Sequence, residues 1–130
     1  MVEQGLPSGK RKRRVVIIDD EPAFAKLLAN MVSELGYEVM ISTDARSSYT
    51  YELRPSDIAF VDIQMPHVDG LQVLALLAGQ NTRCSIVIMS GQGERLDEAE
   101  KLAKELDLQL IGALEKPFRL ADVIEVLTGA

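Results

Sequence analysis

Three short apolar runs in this chain each stop at a chemically potent side chain, and that pattern limits the fold more than any other feature. Residues 15–18 (Val, Val, Ile, Ile) run into Asp19, Asp20 and Glu21, residues 58–61 into Asp62, and residues 85–89 into Ser90. Lys116 and Pro117 follow a fourth run over 108–114. A continuous, β-branched run such as 86–89 suits a strand buried on both faces, as in a parallel sheet covered by helices. Parallel strands bring their carboxyl ends to one edge, and open α/β sheets bind ligands in the crevice there. One crevice would then gather the three carboxylates of Asp19, Asp20 and Asp62, a hydroxyl and an ammonium.

Between the runs the spacing turns helical. Phe24, Leu27, Leu28, Met31 and Leu35 recur at i, i+3, i+4, i+7 and i+11, behind a Pro22 suited to a first turn and ahead of Gly36. Residues 38–41 read as a short strand. Residues 45–53 read as a weak helix, because Ser, Tyr and Thr are poor helix formers. After a turn-rich stretch over 65–70, Leu71, Leu74, Leu77 and Ala78 mark a helix stopped at Gly79. Leu96, Ala99, Ala103 and Leu106 line another, and Leu120, Val123, Ile124 and Leu127 the last. Five strands each followed by a helix predict an α/β fold, a doubly wound five-stranded parallel sheet with five helices on its two faces.

Composition narrows the functional classes. The 130 residues are enough for one domain, and 47% hydrophobic with 26% charged residues supports a packed core. No apolar stretch approaches the ~20 residues of a membrane span, and the opening residues lack a signal peptide's apolar block, so a cytoplasmic protein is expected. Cys84 is the single cysteine, which excludes an internal disulfide and a cysteine-based metal cluster. Net charge is −6, unevenly spread: Lys10, Arg11, Lys12, Arg13 and Arg14 crowd the start, where Glu3 is the one acid. The acidic remainder repels nucleic acid, so no direct nucleic-acid partner is expected. Residues 1–13 read as a flexible basic arm and 14–128 as the folded domain.

Singly, the site residues have simpler readings: Asp20 or Glu21 opening a helix, Asp62 and Ser90-Gly91 in turns. Their joint placement points further. Like charges ~4 Å apart repel by about 4 kcal/mol at an effective dielectric near 20, so gathering Asp19, Asp20 and Asp62 destabilises a fold that gains nothing from it. A cation removes the penalty. Carboxylate oxygens suit Mg²⁺, and with His67 as the single histidine no zinc cluster is available. Beside a cation, an ionised carboxylate can attack a phosphoryl group and form an acyl phosphate.

Taken together, Asp19-Asp20, the Val61-to-Pro66 stretch around Asp62, Asp69-Gly70, Met89-Ser90-Gly91 and Lys116-Pro117-Phe118 resemble the receiver (CheY-like) domain of two-component response regulators. The resemblance runs over about 14–127. It implies a flavodoxin-like strand order of 2-1-3-4-5. It further implies that Asp62 accepts a phosphoryl group from a sensor histidine kinase or phosphotransfer protein. Asp20, Asp62 and the backbone carbonyl of Gln64 would bind Mg²⁺ directly, with Asp19 acting mainly through water. Ser90 would hydrogen-bond a phosphoryl oxygen, and Lys116 would pair with another or, before phosphorylation, with Asp62. The Lys116-Pro117 peptide is expected to be cis. His67 is expected to be an exposed bystander.

The family's switch pulls the serine and its loop inward and alters the face made by the fourth helix, fifth strand and fifth helix. An aromatic usually sits three residues before the lysine, where this chain has Ala113, so the readout is expected to run through Leu114, Phe118 or the glycine-bearing loop over 90–93. The expected function is signalling and not enzymatic, with an output protein or fused effector domain as partner and a homodimer open. Residues 128–130 leave no room for an effector, so a stand-alone or excised receiver is expected. The stretch over 110–117 looks like receivers that precede cyclic di-GMP phosphodiesterases. Two rivals remain: a pseudo-receiver that binds partners without phosphorylation, and a haloacid-dehalogenase-like phosphatase, whose second acid is here Gln64.

Overall fold

The computed structural model describes residues 13–43, 53–65, 68–80 and 83–128. In chain order the elements are β1 (Arg14–Ile18), α1 (Pro22–Glu34), β2 (Glu38–Ser42), β3 (Ile58–Asp62), the short β4 (Gln64–Met65) and β5 (Val68–Asp69), and α2 (Gly70–Gly79). They continue with β6 (Ser85–Ser90), α3 (Gly93–Glu105), β7 (Gln109–Glu115) and α4 (Leu120–Thr128). Five strands pair in parallel in the order β2-β1-β3-β6-β7. Counted within that sheet alone the order is 2-1-3-4-5, the expected doubly wound, flavodoxin-like arrangement. Four helices lie among the described residues; the fifth, expected over 45–53, falls outside them except for Leu53, as does His67.

Burial on both faces explains the unbroken apolar runs. Along β1 and β3 successive side chains point to opposite sides. Val15, Ile17, Ile58 and Phe60 pack with Ala25, Leu28 and Val32 of α1 and with Val123 and Leu127 of α4. Val16, Ile18, Ala59 and Val61 pack with Val73, Leu74 and Leu77 of α2 and with Ala99 and Ala103 of α3. A surface strand alternates polar and apolar residues; these strands have no solvent face to which a polar residue could be assigned. Cys84 belongs to the second of these cores, and burial, followed by the charge of Asp57, pushes its thiol up to about 12.

Two local devices shape the site's surroundings. β4 and β5 form a two-residue antiparallel ladder where the sequence predicts only a turn-rich stretch, because strands that short leave no periodicity to read. Asp69 then caps α2, its carboxylate accepting the Leu71 N–H at 3.0 Å. Gly70 lets that helix start against the chain leaving β3: a Cβ there would stand 2.1 Å from the Ile63 Cα. Among the described residues no helix is long and apolar enough to cross a membrane.

At the amino ends of the strands, the last two residues of the basic run are tied into the body. Arg13 donates to the Ser56 carbonyl at 2.8 Å and to Ser85 Oγ at 3.4 Å. Arg14 grips the buried Asp57 with two nitrogens, Nε to Oδ1 at 3.2 Å and Nη2 to Oδ2 at 2.6 Å, and Asp57 also accepts the Arg54 N–H at 2.7 Å. Removing one partner of a buried, hydrogen-bonded pair leaves the other uncompensated. Asp57→Ala is therefore expected to lower unfolding stability by about 3 kcal/mol, read as a shift in the denaturant midpoint; an unchanged midpoint would remove this clasp from the account.

Candidate functional site

β3 is the middle strand of the sheet, so Asp62 at its carboxyl end lies between the ends of β1 and β6. Asp19 leaves β1 and is held by a hydrogen bond from its N–H to the Ser42 carbonyl at 3.0 Å. Lys116 leaves β7, and its N–H donates to the Ser90 carbonyl at 2.8 Å. The Lys116-Pro117 peptide is cis. The ladder thus delivers Asp19, Asp20, Asp62, Ser90 and Lys116, named from sequence, to one edge.

The lysine ammonium is the hub. Lys116 Nζ lies 2.9 Å from Asp19 Oδ2, 3.3 Å from Asp62 Oδ2 and 3.3 Å from Glu21 Oε1. The pairing expected with Asp62 is therefore shared, and the shortest contact goes to Asp19. The ammonium also sits 4.0 Å over the centre of the Phe24 ring, which meets Phe118 edge-on at 5.4 Å. Neither Glu21 nor Phe24 was assigned to the site from sequence. Glu21 stands at the start of α1 without capping it by its side chain, and Phe24 carries the helical spacing of a core residue.

Asp19, Asp20 and Asp62 each offer a carboxylate oxygen, and the three oxygens lie within 4.8 Å of one another. Asp19 and Asp62 are buried, and Asp20 is half-buried. Among the described residues Asp20 has no cationic partner, so one ammonium faces three close carboxylates and Glu21 besides. Hard oxygen donors, an acidic excess and an opening toward solvent fit a divalent cation of the Mg²⁺ type.

A family comparison completes the picture. The model of the response regulator receiver domain matches residues 15–128. The chain belongs to that family. The positive alginate biosynthesis regulatory protein of Pseudomonas aeruginosa is 33% identical over 120 residues, covering 89% of this chain and 46% of that protein. The chemotaxis protein CheY of Listeria monocytogenes is 28% identical over 124 residues, covering 90% of this chain and 97% of that one. A response regulator from Colwellia psychrerythraea superposes with a TM-score of 0.82 at 31% identity, covering 89% of this chain and 94% of that one. The receiver thus spans less than half of the alginate regulator and almost all of CheY.

Within this receiver, Gln64 has a place that sequence reading did not assign. Its N–H donates to Asp62 Oδ1 at 2.8 Å, while its side-chain oxygen accepts the Ser90 hydroxyl at 3.1 Å and the Gly91 N–H at 2.8 Å. Ser90 Oγ in turn accepts the Gln92 N–H at 3.0 Å. Asp69 and Arg95, 3.3 Å apart, link the start of α2 to α3 at the rim.

Burial sets the protonation of the centre. It lifts Asp62 from an ordinary 3.8 to about 6; the charge of Asp19 adds to the rise, while the Gln64 N–H and Lys116 oppose it. Burial works against the charge on Lys116, but the hydrogen bond to Asp19 and the charges of Asp62 and Asp19 outweigh it and raise its pKa. A raised carboxyl pKa means the fold holds the Asp62 proton more tightly than the unfolded chain does. That contribution is fully present below about pH 4 and is lost as pH rises through about 6. Without divalent cations, Asp62→Asn is expected to stabilise the protein at pH 7.5 by on the order of 2 kcal/mol and to change little at pH 4, as followed by thermal unfolding. A destabilised variant at pH 7.5 would contradict this electrostatic account.

Proposed function

We propose that this receiver takes a phosphoryl group onto Asp62 from a sensor histidine kinase or phosphotransfer protein, with Mg²⁺ as cofactor, and passes the change to an output protein or fused effector domain. The observation that carries the proposal is the convergence of Asp19 and Asp20 on Asp62, the carboxylate that ends the middle strand, with Lys116 against Asp19 and Asp62 and Ser90 ending the neighbouring strand. An acid crowded in this way costs stability and is poorly explained as structure.

In the proposed reaction an ionised Asp62 oxygen attacks the phosphorus of a phosphohistidine. A new P–O bond forms, the P–N bond breaks, and the electron pair leaves with the imidazole. Mg²⁺, held by Asp20, Asp62 and the Gln64 backbone carbonyl with Asp19 mainly through water, would neutralise charge on the transferring oxygens. Lys116 moves its ammonium from the Asp62 carboxylate toward one phosphoryl oxygen while staying on Asp19. Ser90 donates its hydroxyl to another. The arriving charge and acceptors then draw the loop between β6 and α3 inward, biasing the face of α3, β7 and α4. Residues 1–13 are proposed as a basic arm outside this machinery, and the protein as a cytoplasmic signalling component.

Acetyl phosphate with Mg²⁺ is expected to add one phosphate to the wild-type chain, seen by intact mass, and none to Asp62→Asn. An unmodified wild type, or equal labelling of the variant, would reject the assignment and leave a partner-binding receiver without phosphorylation. Mg²⁺ is also expected to raise the melting temperature of the wild type, because a ligand that binds only the folded state stabilises it. Asp20→Asn, which removes one ligand charge, should weaken that Mg²⁺ titration at least about tenfold; an unaltered titration would take Asp20 out of the metal site.

A further inference from the structure

The Gln64 side chain and a phosphoryl group on Asp62 compete for the same proton. The Ser90 side chain is wholly buried, and its hydroxyl donates to Gln64 Oε1 at 3.1 Å while Ser90 Oγ accepts the Gln92 N–H at 3.0 Å. A serine hydroxyl carries one proton to donate. That proton cannot serve the amide oxygen and a phosphoryl oxygen at once. The same amide oxygen also holds the Gly91 N–H at 2.8 Å, so one acceptor fastens two successive residues of the loop that follows β6. Gly91 accommodates this closeness, since a Cβ there would already stand 3.1 Å from Gln64 Oε1. Gln64 itself is exposed, so burial does not force its side chain across the loop; the two hydrogen bonds hold it there.

We propose that Gln64 is a latch: a positioning residue that fastens the Ser90-Gly91 corner in the unphosphorylated arrangement and must let go before Ser90 can reach a phosphoryl oxygen. This rests on the phosphoacceptor role of Asp62. The latch sets a free-energy gap between the two loop arrangements, and the phosphoryl group closes the gap by offering Ser90 a charged acceptor in place of a neutral one. It also supplies a two-position element in a chain where Ala113 occupies the place of the family's inward-turning aromatic.

The test is a titration of the metal-loaded protein with beryllium fluoride, an acyl-phosphate mimic, in wild type, Gln64→Met, Ser90→Ala and the double variant. Gln64→Met keeps the chain length and the backbone carbonyl while removing the acceptor oxygen. Each net hydrogen bond lost from the unligated state should tighten binding about fivefold, and Gln64→Met removes two, so it is expected to bind the mimic between about fivefold and about 25-fold more tightly than wild type. In the Ser90→Ala background that gain should shrink, because the contested proton is gone and only the Gly91 bond remains. In the ligand-free state, the Gly91 amide should exchange with solvent faster in Gln64→Met than in wild type. Binding by wild type with no gain in Gln64→Met, or an equal gain with and without the Ser90 hydroxyl, overturns the latch alone. Failure of wild type to bind the mimic or to take up phosphate overturns the phosphoacceptor reading and the latch with it.

Discussion

One ammonium among crowded carboxylates governs the carboxyl edge of this sheet. Lys116 reaches Asp19 at 2.9 Å and both Asp62 and Glu21 at 3.3 Å, yet among the described residues Asp20 has no cationic partner, and the pKa of Asp62 is raised to about 6. The neutralisation is incomplete by construction, since one positive charge cannot offset four negative ones. A site in this condition is electrostatically unsaturated, and it gains more from a divalent cation than a balanced ion pair would.

The amino edge shows what the same chemistry looks like when it is saturated. Asp57 is almost fully buried, and its oxygens are filled by the forked guanidinium of Arg14 and by the Arg54 N–H. The guanidinium meets the buried carboxylate with two hydrogen bonds in fixed geometry, and the result is a clasp between the starts of β1 and β3. At the other edge an ammonium lying over the face of Phe24, whose ring Phe118 meets edge-on, keeps several partners at once. The contrast lies within one sheet: the saturated pair fixes the strands, and the cluster at the other edge leaves negative charge unmet.

The arrangement around Gln64 extends this logic from charges to hydrogen bonds. Its amide oxygen satisfies Ser90 and Gly91 in the resting fold, and its N–H braces Asp62. A residue that contributes its backbone to the acid and its side chain to the loop links the two halves of the crevice directly.

By itself the sequence determined the five strands of the parallel sheet and the helices that fall among the described residues, the order of the chemistry along the chain, and the edge where it collects. Unbroken runs such as residues 58–61 and 86–89 announce strands covered on both faces, and a parallel sheet has to gather their carboxyl ends. The resemblance carried by Asp62, Ser90 and Lys116 added the strand order and the family. Tertiary structure alone decided who touches whom. Glu21 and Phe24 read as an ordinary helix start and core position, the ladder of β4 and β5 is too short to leave a period, and Gln64 looked like a backbone ligand. Periodicity reports which face a residue occupies, whereas the partition of one ammonium and one hydroxyl proton among competing acceptors depends on distances of a few tenths of an ångström, set only when the strands lie side by side.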